Sequence, residues 1–174
     1  LVGQLAPKRN ERLVVTYGGR ATELPGDPIT RSVLKGFLEQ AGGKDVNQVN
    51  VRTMANSLGI LVEEVKSNEA ADYSEWLHVA VYSDGTKTSA GGTLIGTRNE
   101  PRIVRVHSRP VEIVPSGVLF FMTNKDRPGI VGYIGTLMGK HKVKIASMSL
   151  TRNEAGGEAL TVLNLDSVRP QELL

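Results

Sequence analysis

The sequence predicts an α+β protein in which a helix pair covers an antiparallel sheet, and a smaller ferredoxin-like unit follows it. Two observations lead to this prediction. Short runs rich in Val, Ile and Thr are separated by turn dipeptides through most of the chain, which is typical of strands. Apolar residues at helical spacing occur early, before most of these runs, and again once near the end, between two of them.

Composition narrows the class of protein. The 174 residues suffice for one ordinary domain or two small ones, and the chain has no cysteine, which removes disulfides and thiolate chemistry and fits a cytoplasmic protein. A net charge of +3 is too small to indicate nucleic-acid binding. No apolar run is long enough to span a membrane, so no membrane partner is expected.

The first part of the chain is predicted to be one α+β domain. Asp27-Pro28 is typical of a helix start, and apolar residues follow at helical spacing as far as Ala41. A second helix is expected over Val46–Leu58, with its apolar residues facing inward: Val46, Val49, Met54 and Leu58. Strands are predicted around these helices at Leu13–Tyr17, Ile60–Lys66, Leu77–Val81, Thr93–Ile95, Ile103–Val106 and Val111–Val114.

A different pattern begins after Pro115-Ser-Gly117. The order is strand (Val118–Met122), turn, helix (Gly129–Lys140), then strands Val143–Leu150 and Ala159–Leu165. Another helix is expected from Pro170. This βαββα order is the ferredoxin-like split unit βαββαβ with its last strand missing. We therefore place the boundaries at residues 1–11, the end of a preceding helix, 12–115 and 116–174, the last domain being truncated.

The turn Asn124–Gly129 is the best candidate for a ligand site. It leads into a helix N-terminus, where free backbone N–H groups and the helix dipole favour a carboxylate. Asn124 or Asp126 offers an acceptor for an ammonium group, and Pro128 and Gly129 shape the turn. The same residues also suit an ordinary N-cap and turn, so the loop alone leaves ligand binding open.

The order of strand, Asn124-Lys-Asp-Arg-Pro-Gly129, helix and Val143-Lys-Ile145 resembles the ACT domain. The whole chain is similar to the C-terminal half of D-3-phosphoglycerate dehydrogenases. The segments that carry this second resemblance are Leu1–Pro7, Glu100–Arg105, Ile134–Gly139, Glu154–Ala159 and Asn164–Asp166. It implies that residues 12–115 are the intervening "allosteric substrate-binding" domain and that residues 116–174 are the ACT domain.

The resemblance also implies a function. The parent enzyme would oxidise 3-phosphoglycerate with NAD in serine synthesis, and serine would inhibit it by binding between ACT domains of neighbouring subunits. The chain would form a homo-oligomer through these domains and would control the activity of the catalytic domains, which belong to the same longer chain. The dinucleotide fingerprint would lie upstream, because no Gly-x-Gly-x-x-Gly follows a strand here. This chain would then carry no catalytic residue of its own.

Site residues follow from the resemblance by position. The serine-type site would use Asn124, Asp126 and Lys144, with Arg127, Pro128 and Gly129 in the loop. Lys144 departs from the asparagine that is usual there, and its ammonium would repel the amino group of serine. In the intervening domain, Arg102 matches a position that binds anions in the family. Arg98 would lie on the same face of the same strand. The alternative to an anion site is that these two arginines form a solvated basic edge of the sheet.

Other chemistry has little support. His78, His107 and His141 are scattered, so no metal site is expected.

Two alternatives remain for the function of the chain. One is the small subunit of an iron–sulfur L-serine dehydratase, which joins the same two domains. The other is a freestanding amino-acid-sensing module, which a start other than Met disfavours.

Overall fold

A computed structural model describes residues 1–7, 9–40 and 45–166. The chain folds into two compact units, Leu1–Glu100 and Pro101–Leu174. Both units mix helices and strands, which confirms the predicted α+β class. The helix expected from Pro170 lies outside the described residues.

The first unit contains helices and four neighbouring strands of one sheet. Its strands, in the spatial order β2-β1-β3-β4, are β1 (Arg12–Gly19), β2 (Leu61–Ser67), β3 (Glu75–Ser83) and β4 (Thr86–Ile95). Its helices are α1 (Val2–Leu5), α2 (Gly26–Gln40) and α3 (Val51–Ser57). The Asp84-Gly85 dipeptide, a pair typical of hairpin turns, closes the hairpin between β3 and β4.

The pairing of β1 with β2 differs from the prediction. These strands run parallel, with Leu13 opposite Val62, whereas β1 and β3 run antiparallel. The chain passes through α2 and α3 between β1 and β2, and such a helical crossover brings the second strand back in the same direction. The expectation of a purely antiparallel sheet is therefore wrong for this one pair.

The second helix is shorter than predicted. The side-chain oxygen of Asn47 accepts hydrogen bonds from the backbone N–H groups of Val49 (2.9 Å) and Asn50 (3.1 Å). This local turn competes with helical hydrogen bonding, so α3 begins only at Val51. Val49 is consequently 86% exposed and Leu58 59% exposed, and the prediction that both face inward is wrong.

The core of the first unit lies between β1 and α2. Leu13, Val15 and Tyr17 alternate along β1 and are buried against α2, where Leu34 and Leu38 are also buried. This confirms the predicted apolar stripe of α2 as far as Leu38, and Ala41 lies outside the described residues.

One polar group lies within this core. The Tyr17 hydroxyl donates to the carbonyl oxygen of Gly26 at 2.9 Å and lies 2.6 Å from the hydroxyl of Thr30. These bonds satisfy the phenol and fix the first turn of α2 against the sheet.

The second unit holds the predicted strand-helix-strand-strand order. Its elements are β5 (Glu100–Val106), β6 (Arg109–Ile113), β7 (Val118–Lys125), α4 (Ile130–Lys140), β8 (Ile145–Arg152) and β9 (Glu158–Leu165). The last three strands form an antiparallel sheet in the order β7-β9-β8. This is the arrangement of the first three strands and first helix of a ferredoxin-like fold, as predicted.

The central strand β9 is buried on both faces. On one face, Leu163 and Leu165 pack with Ile134 and Met138 of α4. On the other, β6 lies against β8 and β9, and the Asn164 amide donates to the Val114 carbonyl at 3.0 Å. Strands β5 and β6, which the sequence analysis assigned to the first domain, thus pack with the second unit. The domain boundary near residue 115 stays a prediction.

Candidate functional site

The loop between β7 and α4 has the geometry that an anion site requires. Gly129 precedes α4 with φ of 87°, a left-handed conformation that glycine adopts without strain. No side chain forms a capping hydrogen bond at this end of α4. Asp126 therefore does not act as the N-cap, and the first N–H groups of α4 have no side-chain acceptor. Arg127, Pro128 and Gly129 are exposed at this turn.

Asn124 lies at the end of β7, where both the oxygen and the nitrogen of its side-chain amide form a hydrogen bond. The buried hydroxyl of Thr161 on β9 donates to Asn124 Oδ1 at 3.0 Å. Asn124 Nδ2 donates to the Lys125 carbonyl at 3.0 Å. These two bonds fix the orientation of the amide and leave one lone pair of its oxygen free.

Asp126 forms hydrogen bonds that connect the loop to the turn between β8 and β9. One carboxylate oxygen, Oδ2, accepts from the guanidinium of Arg152 and from the Gly156 N–H at 3.3 Å. The Asp126 N–H donates to the Gly157 carbonyl at 2.8 Å. The guanidinium, helped by the Gly156 N–H, holds the pKa of Asp126 below its ordinary value.

Sequence reasoning missed Arg152, Gly156 and Thr161. A hairpin between the predicted strands Val143–Leu150 and Ala159–Leu165 was implied, and in the structure Arg152 is the last residue of the first of them, β8. The observed register sets Arg152 opposite Ala159 and Ala159 opposite Asn124. This register places Arg152, Gly156 and Thr161 near the candidate loop, and the sequence alone does not reveal it.

The pKa of Asp126 offers a test of this arrangement. Since the folded-state pKa is lowered, the stabilisation by the ion pair is present above the ordinary value of 3.8 and is lost as the pH falls through the lower folded value. Arg152→Gln should move the pKa of Asp126 upward, toward 3.8. Carbon-13 NMR titration of the side-chain carboxyl measures this. An identical Asp126 pKa in both proteins would contradict the ion pair.

Lys144 lies far from the other predicted ligands within one chain. It precedes β8, whose first residue Ile145 is opposite Leu165, whereas Arg152 at the other end of β8 lies near the loop. The two ends are seven residue steps apart along the strand, or about 23 Å. The prediction that Lys144 shares a site with Asn124 and Asp126 therefore fails for a single chain.

The two candidate anion-binding arginines do not share a strand. Arg98 lies in the turn between β4 and β5, which Gly96 and Asn99 form with positive φ. Arg102 lies on β5, and its guanidinium donates to the Pro101 carbonyl at 3.0 Å. The turn interrupts the strand on which a shared face was expected, so that expectation is wrong. Anion binding at Arg102 stays a prediction.

The turn that follows β1 does not fit the pyrophosphate of NAD. Strand β1 leads through Gly18-Gly19 toward α2, but the Trp76 ring lies over Gly18, and a Cβ there would be 1.8 Å from the ring. The space that a pyrophosphate needs at a strand-to-helix turn is thus filled.

Within 1–7, 9–40 and 45–166, no three His, Asp or Glu side chains are grouped so as to hold a metal ion. The helices described there are all too short or too polar to cross a bilayer.

Comparison with known proteins places the chain in a family. Residues 1–107 match the family model described as "D-3-phosphoglycerate dehydrogenase intervening domain". Over the full chain, identity is 38% to the D-3-phosphoglycerate dehydrogenase of Synechocystis and 33% to that of Methanocaldococcus jannaschii. The Bacillus subtilis enzyme of the same name is 30% identical over 95% of the chain.

The chain spans about a third of the length of these relatives: 31% of the Synechocystis protein and 33% of the M. jannaschii protein. All three relatives carry the dehydrogenase name, which favours that alternative over the dehydratase subunit and the freestanding module. The family match covers most of the chain, from the first residue to the turn after β5. This chain belongs to the D-3-phosphoglycerate dehydrogenase family, through the intervening domain of that family.

Proposed function

We propose that this chain is the regulatory part of an NAD-dependent D-3-phosphoglycerate dehydrogenase of serine biosynthesis. In this proposal residues 12–115 act as the intervening domain and residues 116–174 as an ACT domain. The ACT domain binds serine or another small carboxylate, and the catalytic domains and NAD belong to the rest of a longer chain. The names and lengths of the relatives support this assignment.

The observation that carries the proposal is the uncapped N-terminus of α4 beside an ordered loop. Asn124 and Asp126 are held in place by Thr161 and Arg152, so the loop is formed before any ligand arrives. Pre-formed N–H donors at a helix end suit a carboxylate, because no conformational entropy is lost in arranging them.

A second copy of the chain would complete the site. Strand β8 is an edge of its sheet, and its one charged residue is Arg152 at the end, so two β8 strands can pair antiparallel without opposing charges at the centre. Pairing centred near Met148 would bring Lys144 of one copy opposite Arg152 of the other. Such an isologous contact is two-fold symmetric, so the dimer would contain two equivalent sites.

The exposed face of α4 is compatible with this dimer. Gly132, Gly135 and Gly139 recur at spacings that place them on one side of the helix. A Cβ at any of the three would meet nothing within 4 Å. This glycine face leaves room for the close approach of a second α4.

Regulation would follow from the position of the ligand between two copies. A ligand that contacts both loops binds the paired state more tightly than the separate copies, and so shifts the population toward the paired state. Because the catalytic domains would be attached to these copies, ligand and substrate affinities would be coupled, and the coupling would be reciprocal.

Lys144→Asn tests the two-copy site. The substitution should strengthen L-serine binding by at least about tenfold, because it removes an ammonium that repels the amino group of serine. Isothermal titration calorimetry with millimolar L-serine measures this. Lys142→Asn is the matched control: it removes the same charge at an exposed turn whose φ of 55° asparagine readily adopts, and it should leave the affinity nearly unchanged.

Two outcomes would count against the proposal. No heat and no thermal shift with millimolar serine, in the wild type and in both variants, would remove the serine-sensing function. Equal gains from Lys144→Asn and Lys142→Asn would show that net charge, and not a position in a shared site, determines the effect.

A further inference from the structure

Strand β2 is an open edge of the sheet in the first unit. It pairs with β1 on one side, and within the described part of the chain no strand pairs with its other side. The Leu61 N–H donates to the Glu11 carbonyl at 2.9 Å, so the backbone groups of Leu61 and of every second residue after it point toward β1. The N–H and C=O groups of Val62, Glu64 and Lys66 therefore point outward, where they can bond another strand.

The regularity of β2 makes this edge suitable for pairing. The strand contains no proline, and its register against β1 runs from Leu61 to Ser67 without a bulge. Val62 packs with the core, so alternation places Leu61 and Val65 on the face of the sheet away from the helices. These two apolar side chains are 57% and 41% exposed. A regular edge with exposed apolar residues is a surface to which a further strand can add.

The charges on β2 restrict which strand can add. Glu63 pairs with Arg12 at 3.6 Å, and Glu64 pairs with Arg52, so both carboxylates are balanced within the chain. Lys66 is exposed and has no carboxylate partner among the described residues. A strand that pairs with this edge is therefore favoured if it places a carboxylate opposite Lys66.

A second copy of β2 supplies that carboxylate in one register. Two copies related by a two-fold axis perpendicular to the sheet pair antiparallel, and opposite residues then lie on the same face. Centred on Val65, the pairing places Glu64 opposite Lys66 twice and brings two valines together on the other face. Centred on Glu64 or on Glu63, it would place two identical carboxylates directly opposite each other, which is destabilising.

We propose that β2 is a self-association surface on which two copies of the chain pair antiparallel about Val65. The outward backbone groups of Glu64 and Lys66 form the hydrogen-bonded pairs on either side of the centre. Val65 is then a non-hydrogen-bonded pair, with its Cα about 4.5 Å from the Cα of the same residue in the other copy. This contact belongs to the first unit and does not depend on the ligand site or on the pairing of β8.

Disulfide cross-linking tests the register, because the chain has no cysteine of its own. Val65→Cys should give a disulfide-linked dimer on mild oxidation, since a Cα separation of about 4.5 Å lies within the range of roughly 4.4–6.8 Å that a disulfide spans. Leu61→Cys is the matched control, because it is exposed on the same face of the same strand. In this register the two Leu61 positions are more than about 20 Å apart, so the control should cross-link only at background level.

Charge reversal at Lys66 tests the pairing with Glu64. Lys66→Glu added to Val65→Cys places carboxylates opposite each other on both sides of the centre, and should reduce the cross-linked fraction at least about fivefold. Lys87→Glu added to Val65→Cys makes the same charge change at an exposed lysine of β4, away from this edge, and should keep the yield. Non-reducing gel electrophoresis measures the cross-linked fraction of each protein.

Each outcome supports or overturns the proposal. Equal yields from Val65→Cys and Leu61→Cys, or a yield that Lys66→Glu does not lower, would overturn the Val65-centred register. Background cross-linking of a Val65→Cys protein whose circular dichroism matches the wild type would overturn self-association and would leave the edge to a strand of another protein or of the longer chain.

Discussion

Leu163→Ala is expected to lower the free energy of unfolding by about 2–5 kcal/mol, the range found when a large buried side chain is truncated. Leu163 is fully buried at the centre of β9, between β7 and β8. It packs with Ile134 and Met138 of α4, in a core that includes few other buried residues. The cavity would lie beneath the helix that bears the candidate site, so ligand binding should weaken as well.

Urea denaturation followed by circular dichroism measures the loss from Leu163→Ala. Leu58→Ala makes the same chemical change at a leucine that is 59% exposed, and should cost well under 1 kcal/mol. Equal losses in the two variants would contradict the assignment of Leu163 to the core.

Gly18→Ala is expected to destabilise the first unit by about 1–3 kcal/mol, because it overpacks a filled position. The new Cβ would lie 1.8 Å from the Trp76 ring, so the ring must move. Trp76 is the only tryptophan of the chain, and its indole nitrogen is buried without a hydrogen-bond partner. Its displacement should expose that nitrogen to water and shift the fluorescence to the red.

A second glycine gives the matched control for Gly18→Ala. Gly36 lies on the exposed side of α2, and a Cβ there would meet nothing within 4 Å. Gly36→Ala should therefore stabilise the chain by up to about 1 kcal/mol, since alanine loses less conformational freedom in a helix. Thermal unfolding should move in opposite directions for the two variants. A Gly18→Ala protein as stable as the wild type, with unshifted fluorescence, would contradict the packing of Trp76.

The elements that could be predicted from the sequence are those whose pattern lies within one stretch of neighbouring residues. The strand Leu13–Tyr17 and the apolar stripe of α2 were both predicted and both contribute to the core of the first unit, and the order from β7 to β9 identified the ferredoxin-like unit. The parallel pairing of β1 with β2 was not predicted, because strand direction depends on the path of the chain through two helices. The late start of α3 depends on the side chain of Asn47, whose turn competes with the helix.

Prediction of the candidate site was less complete for a physical reason. The loop Asn124–Gly129 is contiguous, so its residues could be named from the sequence. Arg152 and Thr161 reach it only through the register of β7, β9 and β8. Lys144 was grouped with the loop by position in a family pattern, yet the same register places it at the other end of the sheet. Only a contact between two copies would reunite it with Asp126.

The most direct test is to map which residues of the full chain a small carboxylate contacts, because the central claim is that the N-terminus of α4 binds it. In nitrogen-15 NMR spectra, millimolar L-serine should shift the backbone N–H signals of Gly129, Ile130 and Val131 most strongly, and the signals of Lys144 and Ile145 should shift with them as the second copy engages. Shifts confined to residues of the first unit, with the start of α4 unaffected, would contradict the claim that this helix end binds the ligand.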